Sequence, residues 1–260
     1  MIHATAIVDP TAEIGADVKI GPYSIIGAQV KIGDGTAIGP HVTVEGPTQI
    51  GTQNKIYQFA SIGSDPQDKK YAGEDTKLII GDRNVIRECC TISRGTIQDR
   101  AETNMGDDNW IMAYVHIAHD CEVGNHTVIA NSATLAGHVT INDHVILGGF
   151  TLVHQFCQIG AYAFTAMNSA ISKDVPPYLM VSGHMAKPHG LNTEGLKRHG
   201  FTKETIAALK LVYKIVYRSA NTLDSALIKI EQLTFANADI QAAVDRFVTF
   251  LKASSRGIIR

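Results

Sequence analysis

Aliphatic residues recur at every sixth position from the start of the chain: Ile2, Val8, Ile14, Ile20, Ile26, Ile32, Ile38, Val44, Ile50, Ile56 and Ile62. Glycine follows directly at Gly15, Gly21, Gly27, Gly33, Gly39, Gly51 and Gly63. The frame returns at Ile80, Ile86 and Ile92 and slips by one residue. It then runs through Met105, Ile111, Ile117, Val123, Ile129, Leu135, Ile141, Leu147, Val153 and Ile159, breaking at Thr165 before Ile171. A period of six matches neither the 3.6 of an α-helix nor the two-residue alternation of a long strand. It fits short strands joined by bends, with glycine expected to supply the backbone freedom at each bend. One inward aliphatic per strand is buried only if coils stack at about 4.8 Å, which predicts a parallel β-helix. Insertions at 64–79 and 93–104 interrupt the repeat, and protruding loops on a rigid scaffold are where binding surfaces form. A purely structural or ice-binding solenoid would instead repeat small hydroxyl residues; here the variable positions hold His, Asn, Asp, Gln and Lys.

The hexads stop after Asp174-Val175-Pro176-Pro177-Tyr178, where two prolines mark the exit from the solenoid. Helical spacing then takes over. Thr202 is the expected N-cap of a helix carrying Ile206, Leu209, Val212, Tyr213, Ile215 and Val216. A second helix is expected from Asn221-Thr222 to about Leu233, and a third from Asn237 or Asp239 with Ile240, Val244, Phe247, Val248 and Leu251 on its apolar face. The organisation is therefore mainly β: a solenoid over 1–185, then a small α-helical domain over 186–260. The helices can cap the last coil, whose edge would otherwise be open to association. Their cations Lys187, Lys197, Arg198, Lys203, Lys210, Lys214 and Arg218 could steer an acidic partner.

Composition narrows the function. A net charge of −2 excludes the broad basic surface of a nucleic-acid binder. The start Met1-Ile2-His3-Ala4-Thr5 has no signal-peptide pattern, and no apolar run is long enough to insert in a membrane, so the chain is expected in the cytoplasm. Cys89, Cys90, Cys121 and Cys157 lack metal or redox spacing and read as small apolar residues.

The repeat resembles that of the hexapeptide acyltransferases, which implies three hexads per coil, 18 residues, and left-handed winding. On that spacing Gly137 lies one coil above His119 and His138 above Asp120. Acyl transfer to an alcohol needs a base for the hydroxyl proton and a donor for the tetrahedral oxyanion. His119 suits the first and the Gly137 N–H the second, with Asp120 placed to stabilise an imidazolium. An alternative use of His116, His119, His138 and His154 is a zinc site; the expectation is no metal and no cofactor.

Ile56-Tyr57-Gln58-Phe59-Ala60-Ser61-Ile62-Gly63, Gln67-Asp68, Lys70-Tyr71-Ala72-Gly73, Ala118-His119-Asp120-Cys121, His154-Gln155-Phe156-Cys157 and Asn192-Thr193-Glu194-Gly195-Leu196-Lys197-Arg198 are similar to segments of the UDP-N-acetylglucosamine O-acyltransferase family. With Asp174-Val175-Pro176-Pro177 they extend the resemblance over essentially the whole chain. It implies transfer of an (R)-3-hydroxyacyl group from acyl-carrier protein to the glucosamine 3-hydroxyl of UDP-N-acetylglucosamine, the first step of lipid A synthesis, by a homotrimer with active sites between solenoids. It implies catalytic roles for His119, Asp120, Gly137 and His138, and substrate contacts from Asp68, Lys70, His116, Gly149, His154, Gln155, Met167, Asn192, Glu194 and Arg198. Ser93 and Met185 depart from residues that are often histidine in relatives. Met167 stands where relatives handling longer chains have glycine, so a shorter acyl group is expected. The related N-acyltransferases carry an extra N-terminal domain, for which a repeat beginning at Ile2 is expected to leave no room.

Overall fold

A computed structural model describes residues 1–235 and 237–260. The hexads form three parallel sheets. A nine-stranded first face runs from Ile7–Val8 to Ala170–Ile171, and an eight-stranded second face from Glu13–Ile14 to Gln158–Ile159. A ten-stranded third face begins at Lys19–Ile20. Each strand pairs with the one a coil later: His116 with Thr134, Glu122 with Thr140, Val128 with Ile146. The 18-residue coil is thus present wherever no insertion intervenes. One aliphatic per strand points inward; Ile62, Ile86, Ile111, Ile129 and Leu147 are completely buried. The break at Thr165 is a buried hydroxyl with partners: its Oγ1 accepts from the Gly148 N–H at 3.0 Å and lies 2.8 Å from Thr151 Oγ1.

Glycine, expected at the bends, does not generally make them. The bends are made by non-glycine residues at positive φ, among them Tyr114, Asp120, His138, Phe156 and Tyr162. The glycine after the aliphatic residue serves close stacking instead. A Cβ at Gly33 would lie 2.6 Å from the Gly51 carbonyl carbon, and one at Gly124 2.5 Å from Asp143 Oδ1.

The third face continues beyond the hexads through Leu179–Ser182 and an antiparallel strand, Lys187–Leu191. Four helices follow among the described residues, one more than the spacing predicted: α1 (Thr193–Arg198), α2 (Lys203–Tyr217), α3 (Leu223–Glu231) and α4 (Ala238–Ala253). α1 is too short for hydrophobic periodicity to reveal, and it is set by Asn192, whose side chain accepts from the Gly195 N–H. Thr202, Thr222 and Asn237 cap the other three. Buried Tyr178 donates its hydroxyl to the Ala243 carbonyl, and Asp174 accepts from the Ser254 hydroxyl at 2.6 Å, tying the helices onto the last coil. Lys187 on the antiparallel strand and Lys197, Arg198, Lys203, Lys210, Lys214 and Arg218 in the helical region are all exposed. No helix is long and apolar enough to cross a membrane among the described residues.

Candidate active site

Both insertions leave from the corner between the first and second faces, in successive coils. One joins Ser61–Ser64 to Lys77–Ile80, the other Thr91–Ser93 to Glu102–Met105. The next three coils put His119 and Asp120, then Gly137 and His138, then Gln155 and Phe156, at that same corner. Loops and corner enclose an open cleft of about 780 Å³ whose walls include Asp68, Lys70, Asp99, His119, His138 and Gln155.

Within it, His119 Nδ1 lies 2.8 Å from Asp120 Oδ2, with the carboxylate wholly buried. Asp120 also accepts from the Thr96 N–H at 2.9 Å and the Thr96 hydroxyl at 2.6 Å, while its own N–H donates to Thr103 Oγ1. Burial opposes the charge, but the bonds from His119 and Thr96 outweigh it and hold the Asp120 carboxyl below the usual range. With Nδ1 committed to Asp120, Nε2 is the nitrogen left for a substrate. Gly137 is a necessity of packing, since a Cβ there would sit 2.6 Å from His119 Cε1 and 2.8 Å from Nε2. Its N–H makes no hydrogen bond among the described residues.

His138 stacks on Phe156 with ring centroids 4.3 Å apart, meets His119 edge-on at 5.0 Å, and holds Asp99 Oδ2 at 2.8 Å from its Nδ1. His119, Asp120 and His138 form a tight cluster whose nearest atoms already bond to one another. Among the described residues, His116 and His154 do not join that cluster: His116 Nδ1 bonds Thr91 Oγ1 at 2.7 Å, and His154 Nδ1 faces the Gln155 carbonyl at 3.2 Å. Burial, with His119 nearby, keeps the His116 imidazole below its ordinary value. Cys121, one residue past Asp120, is not an available nucleophile, because burial pushes its thiol up to about 12.

The first loop is pinned from below by Arg94. This buried guanidinium donates to the Gly63 carbonyl, the Asp65 carboxylate and, at 3.0 Å, the Tyr71 hydroxyl. Lys70 and Asp68 lie on the segment so anchored, the Lys70 N–H donating to Asp68 Oδ1. Thr96, Asp99, Thr103 and Arg94 are not among the candidates read from the sequence; they lie on or beside the second insertion, outside the hexad register, and only their bonds to Asp120, His138 and the first loop reveal them.

The remaining candidates lie elsewhere. Gly149 and Met167 stack at the corner between the third and first faces, the Asn168 N–H donating to the Gly149 carbonyl, with Met167 72% exposed. Asn192, the cap of α1, and Glu194 and Arg198 on it stand at the remaining corner, where Asn192 Nδ2 donates to the Tyr162 carbonyl and Glu194 pairs with Lys197 at 2.7 Å. A single chain does not bring these to His119.

Residues 174–259 match the family described as UDP-N-acetylglucosamine O-acyltransferase, domain 2, and residues 11–46 and 102–137 match the bacterial transferase hexapeptide repeat. The chain is 57% identical over 259 residues to the acyl-[acyl-carrier-protein]–UDP-N-acetylglucosamine O-acyltransferase of Thiobacillus denitrificans, covering 100% of this chain and 99% of that protein. The same enzyme of Neisseria gonorrhoeae is 57% identical over 260 residues, with the same coverage. Among solved structures, the Francisella novicida UDP-N-acetylglucosamine acyltransferase superposes with a TM-score of 0.96 at 44% identity, covering 100% of this chain and 94% of that one. An Acinetobacter baumannii relative gives 0.95 at 48%, covering 100% and 99%. With relatives this similar over its full length, the chain belongs to the UDP-N-acetylglucosamine O-acyltransferase family.

Proposed function

We propose that this protein transfers an (R)-3-hydroxyacyl group from acyl-carrier protein to the 3-hydroxyl of UDP-N-acetylglucosamine, the first step of lipid A synthesis, in the cytoplasm and without a covalent enzyme intermediate. The observation that carries it is the His119–Asp120 pair packed against Gly137, whose N–H has no partner among the described residues, in an open cleft. His119 Nε2 accepts the proton as the sugar oxygen attacks the thioester carbonyl, and Asp120 stabilises the imidazolium that results. The Gly137 N–H donates to the oxyanion of the tetrahedral intermediate. As that intermediate collapses, the C–S bond breaks and His119 returns the proton to the departing thiolate, leaving an ester and a free carrier thiol. Lys70 and Arg198 suit the pyrophosphate. Asp68, His116, His154 and Gln155 are assigned to the sugar nucleotide near the cleft, and Asn192 and Glu194 to polar groups of sugar or acyl chain. Gly149 and Met167 are assigned to the acyl groove, which Met167 closes.

A homotrimer accounts for the separation of these groups onto three corners, because a neighbour's corner can complete the cleft. Two features of the surface support it. On the third face the outward row passes Lys19 and Lys55 and is then apolar through Val85, Trp110, Val128, Ile146 and Phe164, while the second face presents Glu13, Lys31, Lys77 and Glu122. Exposed Tyr23, Phe59, Tyr114 and Phe150 line the corner beside that apolar row.

The experiment is incubation of the purified protein with UDP-N-acetylglucosamine and carrier proteins bearing 3-hydroxyacyl chains of graded length, with products resolved by mass. An acylated sugar nucleotide, most abundant with a shorter chain, is expected, and Met167→Gly is expected to admit longer ones. No product with any donor would overturn the assignment.

A further inference from the structure

The two imidazoles of the cleft and the two carboxylates beside them are arranged in a way that the general-base reading alone does not require. Asp120 Oδ2 lies 2.8 Å from His119 Nδ1 but also 3.8 Å from His138 Nδ1, so one oxygen is within reach of both rings. What draws His138 away is Asp99, whose Oδ2 is 2.8 Å from the same Nδ1. Asp99 stands on the second insertion, three residues after Thr96, which clamps Asp120 with its N–H and its hydroxyl. The insertion therefore holds both carboxylates. Phe156 fixes the plane of the His138 ring from the other side at an interplanar angle of 5°.

We infer that Asp99 is a positioning residue: by taking the Nδ1 hydrogen of His138, it reserves Asp120 for His119. A donor needs an acceptor, and in a partly buried cleft an unpaired imidazole N–H turns to the nearest carboxylate oxygen. Without Asp99 that oxygen is Asp120 Oδ2, where His138 would compete with His119 and with the Thr96 hydroxyl. His119 would then lose the bond that fixes its tautomer and aims Nε2 at the substrate. Asp99 touches no reacting atom in this scheme and acts through His138.

This inference rests on the acyl-transfer reading, and its test has a readout independent of turnover. Asp99→Ala is expected to lower kcat about 10- to 100-fold, the scale of a misplaced catalytic group, with little change in KM for UDP-N-acetylglucosamine. In a His138→Ala background the same substitution is expected to cost almost nothing further, because the competing ring is gone. Nitrogen NMR of the ring signals, recorded on the substrate-free protein, is expected to change for both His138 and His119 in Asp99→Ala. If wild-type protein makes no acylated sugar nucleotide, the functional reading fails while the NMR still decides the positioning. An equal loss of kcat with and without His138, a rise in KM alone, or an unchanged His119 signal would overturn the role of Asp99.

Discussion

One missing methyl group at Gly137 decides whether His119 can occupy the cleft. Gly137→Ala would place a Cβ 2.6 Å from the His119 ring, and the surrounding coils leave the ring as the part able to move. The expected result is a loss of kcat of about a hundred-fold, as for a catalytic group displaced by an ångström, with a nearly unchanged melting temperature. Steady-state kinetics and thermal unfolding check it together. Asp120 makes a second prediction through pH. Its native carboxyl titrates below the ordinary range, so the charge stabilises the fold in full above about 3.9 and that contribution is lost as pH falls through the lower native value. Asp120→Asn keeps a residue that tolerates the positive φ of 58°. It should be less stable than wild type by about 1–2 kcal/mol at neutral pH, with the gap closing in acid, as read by urea unfolding at graded pH. His119, Asp120, Gly137 and His138 were legible in the sequence because the 18-residue coil converts sequence distance into adjacency. Asp99 and Thr96 were not, because an insertion suspends that arithmetic.

Among the elements, the hexad strands were the most legible part of the chain, since each repeat announces its own inward residue. The cause of the bends is not legible in the repeat. Glycine is scarce at the positive-φ position and common where coils approach closely, two demands that the aliphatic–glycine pattern alone does not separate. The helical region was legible where an amphipathic face ran for several turns, as in α2 and α4, and illegible in α1, which the Asn192 cap defines. One side chain ties the first insertion to the next coil. Arg94 lies beneath it and bonds Gly63, Asp65 and Tyr71, so Arg94→Met removes its anchor while filling similar space. KM for UDP-N-acetylglucosamine is expected to rise about ten-fold, the effect of one lost charged hydrogen-bond set, with a smaller change in kcat. Faster limited proteolysis between residues 64 and 76 should accompany it.

At the scale of the whole molecule, the solenoid distributes the proposed site over three corners and leaves the apolar stretch from Val85 to Phe164 and an aromatic edge on its surface. Neither feature is legible from hexads alone, because the repeat fixes what points inward and says little about what lies opposite the outward rows. In the proposed reaction copies of this chain cover those surfaces, and His119 is the base in the completed cleft. The most direct measurement is turnover by His119→Ala of UDP-N-acetylglucosamine and a 3-hydroxyacyl carrier protein, on protein whose solution mass and melting temperature match wild type. A fall of about a thousand-fold with an unchanged solution mass is predicted, within what general-base catalysis supplies. Turnover close to wild type in that intact assembly would contradict the account.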